Sequence, residues 1–252
     1  MSDPHKEFEE SILNITQYSG SKEAGIKRIS ASYINSDPLV VYYRYKYGII
    51  DSNRIGANTL GSLLHLGLEN LEIENVELEK SIEMEIENDW IISATIDYIN
   101  FENKTIRDFK VTKRYTYEKF NQDSDYAWQL RMANYILMKN KIIDAPYKMY
   151  VSMFLKDPEE NYKNKELSTL VYREVDPVPD KEIEAKIKAL ANEVDSYING
   201  SKKEQCKDLW WRNKKVNGTN TKIPMRCEKY CDYKNNCEFY SKPYNPFTPE
   251  EW

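Results

Sequence analysis

A run of strand-like sequence between residues 76 and 112 constrains the fold more than any other feature. Its three segments, VELEKSIEMEIE, WIISATIDYINF and KTIRDFKVT, alternate polar and apolar residues and are rich in β-branched side chains, which is typical of an antiparallel meander. Further strands are predicted near 147–155 and 166–175. Helices are predicted at about 4–18, 60–73, 123–140 and 180–199. The sequence therefore predicts an α/β fold with a central mixed β-sheet flanked by helices.

Composition sets the size and the class of the protein. Of the 252 residues, 40% are hydrophobic and 31% are charged, which suffices for a packed core. One large domain over 1–200 is expected, followed by a small cysteine-bearing tail over 201–252. The first residues, MSDPHKEFEE, show no basic stretch followed by an apolar one, and no window approaches the ~20 apolar residues of a membrane helix. A cytoplasmic protein with no membrane partner is expected.

Charge is distributed unevenly along the chain, although the formal net charge is only -5. The segment 69–89 is strongly acidic, with Lys80 as its single base, whereas the segment 200–242 is rich in lysine and arginine. A basic segment of this kind can bind a polyanion even when the whole molecule is negative.

Two acidic residues face each other on the hairpin formed by the second and third predicted strands. A two-residue turn at Glu102-Asn103 pairs Asp97 with Asp108 and places Lys110 on the same face as Asp108. Opposed Cβ atoms lie about 4.5–5.5 Å apart, so both carboxylates could ligate one cation. Hard carboxylate oxygens suit Mg²⁺ or Mn²⁺, and Lys110 would then orient water or stabilise charge growing on phosphorus.

The alternative for the same hairpin is a salt-bridged sheet face, on which Lys110, Arg107 or Lys113 neutralises the two acids. Neighbouring residues favour the metal site. His65 and Glu69 lie one helical turn apart on one face of a predicted helix, and His65 could supply a nitrogen ligand. Gln129, on the helix after the hairpin, could bridge a phosphate or the attacking water.

All four cysteines lie late in the chain, at Cys206, Cys227, Cys231 and Cys237. In a reducing compartment, such a group is more typical of a metal or cluster site than of disulfides. Four thiolates satisfy a tetrahedral Zn²⁺ ion as well as an iron-sulfur cluster, and the spacing does not separate the two.

The ordered motifs GSLLHLGLE, SATIDYI, RDFKVTK and the helix containing Gln129 resemble those of the PD-(D/E)xK nuclease superfamily, in particular its RecB-like branch. The resemblance covers about residues 28–155 and the tail, where RCEKYCDYKNNCEFY resembles the cysteine segment of phage-encoded nucleases. It implies a restriction-endonuclease-like core. It also implies a [4Fe-4S] cluster held by the four cysteines, with Zn²⁺ as the alternative.

The resemblance also assigns roles to individual residues. It implies that His65, Asp97 and Asp108 bind Mg²⁺ or Mn²⁺ and that Asp108, Lys110, Asp97 and Gln129 form the catalytic set. Glu69 and Tyr135 are expected as accessory residues, and Glu69 matches the acid that often follows the histidine in the family. The chain departs from the family's Gln-x-x-x-Tyr pattern, because Ala133 stands where the tyrosine is expected and Tyr135 is two residues late.

The function expected from these features is a metal-dependent DNA exonuclease of phage-type replication, recombination or degradation, with partners among replication or recombination proteins. Basic and aromatic side chains suit single-stranded DNA or duplex ends, and the expected DNA contacts are Lys113, Arg114, Trp210 and Trp211. The alternatives are a non-catalytic nucleic-acid-binding subunit of a larger complex and an endonuclease.

Overall fold

The computed structural model describes residues 24–48, 73–156, 169–202, 211–216 and 219–224, together with the single positions Gly61, Gly67, Cys231, Tyr233 and Cys237. The helix predicted at 4–18 lies outside the described residues. So does most of the helix predicted at 60–73, of which Gly61 and Gly67 are described and have helical backbone.

A mixed six-stranded sheet forms the centre of the described structure. Its strands are β1 (Arg28–Ser30), β2 (Val76–Glu85), β3 (Ile91–Asn100), β4 (Thr105–Thr112), β5 (Lys148–Leu155) and β6 (Leu170–Val175). The order is β1-β3-β4-β5-β6, with β2 paired to β3. The pairs β1–β3 and β4–β5 are parallel, and the other pairs are antiparallel. The predicted meander of β2, β3 and β4 and the mixed character of the sheet are thus confirmed.

Four α-helices accompany these strands in the described residues. They are α1 (Pro38–Tyr47), α2 (Arg114–Glu118), α3 (Asp125–Lys139) and α4 (Asp180–Ile198). Side-chain caps fix two of the starts: Asp37 accepts a hydrogen bond from the Leu39 amide, and Ser124 accepts one from the Ala127 amide. The helices predicted at 123–140 and 180–199 are confirmed. The predictions did not include α1 or α2.

The core of the sheet consists of aliphatic side chains that alternate along the strands. Ile99, Ile106 and Val151 lie on adjacent strands and are fully buried. Helix α3 packs across strands β2 to β6 and buries ten of its residues, including Leu130, Ile136 and Leu137. Helix α3 therefore excludes water from one face of β4, the strand that carries Asp108 and Lys110.

The chain divides into two compact units. The first holds β1 to β6, α2, α3 and the part of α4 up to Lys188, and the second holds α1, α4 from Ala189 and the later strands. In the second unit, β7 (Trp211–Val216) and β8 (Thr219–Pro224) form an antiparallel pair. The domain division expected at residue 200 stays a prediction.

Tyrosine rings hold the second unit together where it is described. The ring centroids of Tyr42 and Tyr197 are 5.6 Å apart, and those of Tyr43 and Tyr233 are 5.9 Å apart. The hydroxyl of Tyr233 donates a hydrogen bond to the carbonyl of Gly48 over 3.0 Å. Within the described residues, no helix is both long and apolar enough to cross a membrane.

Candidate active site

The site begins where β4 separates from β3. The two strands pair at Asn100↔Thr105, Ile99↔Ile106 and Tyr98↔Arg107, which is the register predicted from the turn. Backbone pairing stops there, one residue before the expected pair of Asp97 and Asp108. On the same edge of β3, the parallel strand β1 pairs only with Ile91 to Ser93. Along this edge of β3, Asp97 therefore lies between the residues that pair with β1 and the residues that pair with β4.

The side chain of Asp97 replaces the missing strand pairing. Its Oδ2 accepts a hydrogen bond from the backbone amide of Phe109 over 2.5 Å. Asp97 is 5% exposed, and its hydrogen bond with Phe109 is buried. A buried amide without an acceptor would lower the stability of the fold, so the carboxylate has a structural role here. This corrects the expectation of a regular ladder through Asp97 and Asp108, because a side-chain oxygen takes the place of a backbone carbonyl.

The other edge of β3 is also irregular at this level. The pairs Leu78↔Tyr98 and Lys80↔Ile96 flank Glu79, whose φ of 49° is in the left-handed region. A residue other than glycine rarely adopts this conformation, and such strained positions occur preferentially at functional sites. Both edges of β3 thus depart from regular pairing beside Asp97.

Asp108 and Lys110 form a partly buried ion pair on β4. Lys110 Nζ donates a hydrogen bond of 2.7 Å to Asp108 Oδ1, and the two side chains are 24% and 3% exposed. The shared face predicted for these residues is confirmed. Burial lowers the pKa of Lys110, but the negative charges of Asp108 and Asp97 and the hydrogen bond to Asp108 outweigh burial and raise that pKa above its ordinary value. Both carboxylates therefore act on one ammonium group.

Helix α3 adds Tyr126, which the sequence analysis did not single out. Lys110 Nζ lies 5.6 Å from the centroid of the Tyr126 ring, within the range of a cation-π contact. Burial raises the pKa of the Tyr126 hydroxyl, with Lys110 opposing this effect. Gln129 lies one helical turn further along α3 and is partly buried, so Tyr126 and Gln129 share a face. The pattern DYAWQ, with tyrosine three residues before glutamine, was the available signal.

A divalent cation fits the chemistry of these donors, although they make up only part of a coordination shell. Within the described part of the chain, no three or more His, Cys, Asp or Glu side chains come together in a way that could hold a metal ion. Asp97 and Asp108 supply hard, buried carboxylate oxygens. The expected third ligand, His65, and the accessory Glu69 lie outside the described residues.

The expected DNA-contacting residues differ in their surroundings. Lys113 is exposed. Arg114 is instead 5% exposed and pairs with Glu118 over 2.9 Å, so its guanidinium group is engaged within α2. Trp211 begins β7, and Trp210 lies outside the described residues.

Tyr135, the expected accessory tyrosine, belongs to a different cluster. Its hydroxyl donates a hydrogen bond of 3.0 Å to Glu184 on α4, and Lys139 Nζ lies 5.0 Å from its ring centroid. Tyr135 lies six positions after Gln129, which places it on another face of α3. The structure therefore brings Gln129, but not Tyr135, to the face that carries Tyr126.

Two of the four cysteines are described. Cys231 is partly exposed and Cys237 is buried. Cys206 and Cys227 lie outside the described residues, so the iron-sulfur or zinc site stays a prediction.

Comparisons with known proteins define the class of fold. No family model matches the chain, and no curated protein matches it. Among solved structures, the chain is similar to one titled "Crystal structure of SSO0001", with 15% sequence identity and a TM-score of 0.56. The match covers 94% of this chain and 98% of that chain. The likeness supports the fold alone, which is an α/β fold with a mixed six-stranded sheet flanked by helices.

Proposed function

We propose that this chain is a metal-dependent nuclease of the PD-(D/E)xK superfamily, with a restriction-endonuclease-like core, that hydrolyses phosphodiester bonds in DNA. The observation that carries the proposal is the meeting of Asp97, Asp108 and Lys110 at the point where β4 leaves β3. Two buried carboxylates and a lysine on a split hairpin are the donor set that this chemistry needs. The motifs SATIDYI and RDFKVTK supply these three residues in the family's order.

The alternative interpretation of a salt-bridged sheet face explains less of the geometry. Lys110 bears one positive charge and the two buried carboxylates bear two negative charges, so these three side chains together carry a net negative charge that a divalent cation would compensate. The presence of two acids beside an interrupted strand pair therefore supports a cation-binding role.

Asp97 and Asp108, together with His65, would hold Mg²⁺ or Mn²⁺. When bound, the ion supplies Lewis-acid stabilisation of phosphate oxygens and lowers the pKa of a coordinated water. Asp97 keeps its carboxylate fixed through the Phe109 amide, and this preorganisation reduces the reorganisation needed during the reaction.

Lys110 is the residue placed to act on the phosphate. Its ammonium group lies 2.7 Å from Asp108 and can donate a hydrogen bond to a phosphate oxygen or to the attacking water. The ammonium group also lies over the ring of Tyr126 on α3. Gln129, on the same helix face, can donate to a second phosphate oxygen through its amide.

The decisive experiment compares linear and closed circular DNA incubated with the full chain and Mn²⁺. An exonuclease degrades linear DNA and spares the circle, an endonuclease cuts both, and a non-catalytic binding subunit cuts neither. We expect degradation of linear DNA only. Asp108→Asn and Lys110→Met should abolish it, whereas the exposed control variants Asp144→Asn and Lys148→Met should retain it. Cleavage by purified Lys110→Met at the wild-type rate would refute the proposal.

The cysteine segment is proposed to hold a [4Fe-4S] cluster, with Zn²⁺ as the alternative. The presence of Cys231 and Cys237 on either side of Tyr233, whose hydroxyl is bound to Gly48, supports a role in holding the tail. Anaerobically purified protein should be brown and contain iron. A colourless protein with one zinc ion would select the alternative.

A further inference from the structure

Helix α2 carries an exposed tyrosine between two exposed lysines, directly after the strand that bears Asp108 and Lys110. Tyr115 is 67% exposed, more than any other large hydrophobic side chain in the described residues. Lys119 Nζ lies 5.9 Å from the centroid of its ring, and Lys113 and Lys119 are both exposed. We name Lys113, Tyr115 and Lys119 the α2 surface.

Contacts of other residues attach α2 to the rest of the fold. Arg114 is buried and pairs with Glu118 over 2.9 Å, which also compensates the charge of that acid. The guanidinium carbon of Arg173, on β6, lies 4.0 Å from the Tyr117 ring centroid, and Arg173 donates a hydrogen bond to the Tyr117 carbonyl. Because these contacts fix α2 on one side, the exposure of Tyr115 is imposed by the fold.

Strand pairing places this anchor on the face of the sheet that carries the candidate active site. Asp108 pairs with Val151, and Val151 pairs with Arg173. Directly paired residues point to the same face, so Arg173 and Asp108 lie in one row. Two strand spacings separate them, which is about 10 Å. The helix that Arg173 holds is therefore close to the carboxylates and on their side of the sheet.

We propose that the α2 surface binds single-stranded DNA, with an unpaired base stacked on Tyr115 and adjacent phosphates neutralised by Lys113 and Lys119. An exposed aromatic ring offers a stacking surface for any base, and flanking lysines track the backbone without reading sequence. A duplex keeps its bases stacked on each other, so it gains nothing from Tyr115. The role of this surface rests on the proposed nuclease function, since it would present the strand to Asp97 and Asp108.

The first test measures binding by fluorescence anisotropy of a labelled dT20 oligonucleotide and a 20-base-pair duplex, without divalent metal. Tyr115→Ala should raise the Kd for dT20 by about fivefold to a hundredfold, the range for loss of one stacked base. Tyr115→Trp should bind as wild type, because it restores the ring. Tyr172→Ala is the matched control, since Tyr172 is 63% exposed but lies on β6. Circular dichroism verifies that each variant is folded.

The second test uses the dependence of dT20 affinity on salt. Each phosphate contact to a single strand contributes about -0.7 to the slope of log K against log salt concentration. Lys113→Ala/Lys119→Ala should therefore reduce the magnitude of the slope by about 1.4, and the exposed pair Lys148→Ala/Lys181→Ala should leave it unchanged. Equal loss of dT20 and duplex binding in Tyr115→Ala would overturn the proposal, as would absence of dT20 binding by the wild-type protein.

The outcomes separate this proposal from the nuclease assignment. If Tyr115→Ala weakens dT20 binding but the wild-type protein cuts no DNA, the α2 surface stands and the nuclease assignment falls. If the wild-type protein cuts DNA and Tyr115→Ala binds dT20 with unchanged affinity, the nuclease assignment stands and the α2 surface falls.

Discussion

The carboxylate of Asp97 accepts a hydrogen bond from the backbone amide of Phe109 on the neighbouring strand. The same side chain contributes, with Asp108, to the negative charge that surrounds Lys110. One residue thus closes the gap between two separating strands and shapes the electrostatics of the candidate site. Its structural and chemical roles can be separated by substitution.

Asp97→Asn and Asp97→Ala should differ in stability and agree in activity. Asparagine retains an oxygen that can accept the Phe109 hydrogen bond, whereas alanine leaves that buried amide without an acceptor, at about 1–3 kcal/mol. Both remove the negative charge, so both should abolish Mn²⁺-dependent cleavage. Urea unfolding measures the difference in the free energy of unfolding. Equal stability of the two variants would contradict the structural role.

Tyr126 should act by positioning Lys110. Tyr126→Leu removes the ring face beneath the ammonium group, and we expect kcat to fall about tenfold, equivalent to about 1.4 kcal/mol, with little change in KM. Tyr126→Phe keeps the ring and should retain activity. The Lys110 side-chain proton shifts, measured by NMR, should lose their ring-current displacement only in Tyr126→Leu. A rise in KM of equal size in both variants would instead point to direct substrate contact through the hydroxyl.

Arg114 should matter for stability, and Lys113 should not. Arg114 is buried and pairs with the exposed Glu118, so Arg114→Ala removes mainly the packing of the arginine side chain. We expect a loss of about 2 kcal/mol in the free energy of unfolding. Lys113→Ala, at an exposed neighbouring position, should change it by less than about 0.5 kcal/mol. Chemical denaturation of both variants provides the comparison, and similar values would show that α2 is not anchored through Arg114.

Tyr135 gives the protein a defined sensitivity to alkaline pH. Burial and the hydrogen bond to Glu184 raise the pKa of Tyr135 to about 12, compared with about 10 in an unfolded chain. Because the pKa is raised in the folded state, the stabilising contribution is complete below about pH 10 and is lost as the pH rises through about 12. The stability advantage of the wild-type protein over Tyr135→Phe should therefore be constant from pH 7 to 9 and smaller at pH 11. An advantage that grows between pH 9 and 11 would contradict this assignment.

The sequence predicted the elements with a regular period. The alternation in 76–112 predicted β2, β3 and β4 through the pleat of a strand, and the turn at Glu102-Asn103 predicted the register of β3 with β4. The apolar pattern of α4 repeats through Ile183, Ile187 and Val194, all buried, and the helix was predicted nearly to its ends. The shared face of Asp108 and Lys110 followed from the same rule.

Features without a regular apolar pattern were missed. Helix α1 has the sequence PLVVYYRYKY, in which tyrosines supply much of the buried surface, so a search for aliphatic periodicity passes over it. Strands β7 and β8 flank Asn217-Gly218, a strong hairpin signal, but their sequences WRNKKV and TNTKIP are too polar to suggest strands. The Asn217-Gly218 dipeptide was the available signal for this hairpin.

The interruption of pairing at Asp97 could not be predicted from periodicity, because a side chain rather than a backbone group makes the contact. Burial of Arg114 was missed for a related reason. Arginine is usually exposed, and its partner Glu118 lies one turn further along a helix of only five residues. Both cases depend on tertiary contacts that no local pattern records.

The turn at Phe101–Lys104 joins β3 to β4, and its Asn103 amide donates to the side chain of Asn100. Since side chains alternate along a strand, adding or deleting one residue here would rotate Asp108 and Lys110 to the opposite surface of the sheet. Related chains should therefore vary in the identity of these four residues and keep their number. Insertions in a surface loop are normally harmless, so a constant loop length among related chains would indicate selection for the positions of Asp97 and Asp108.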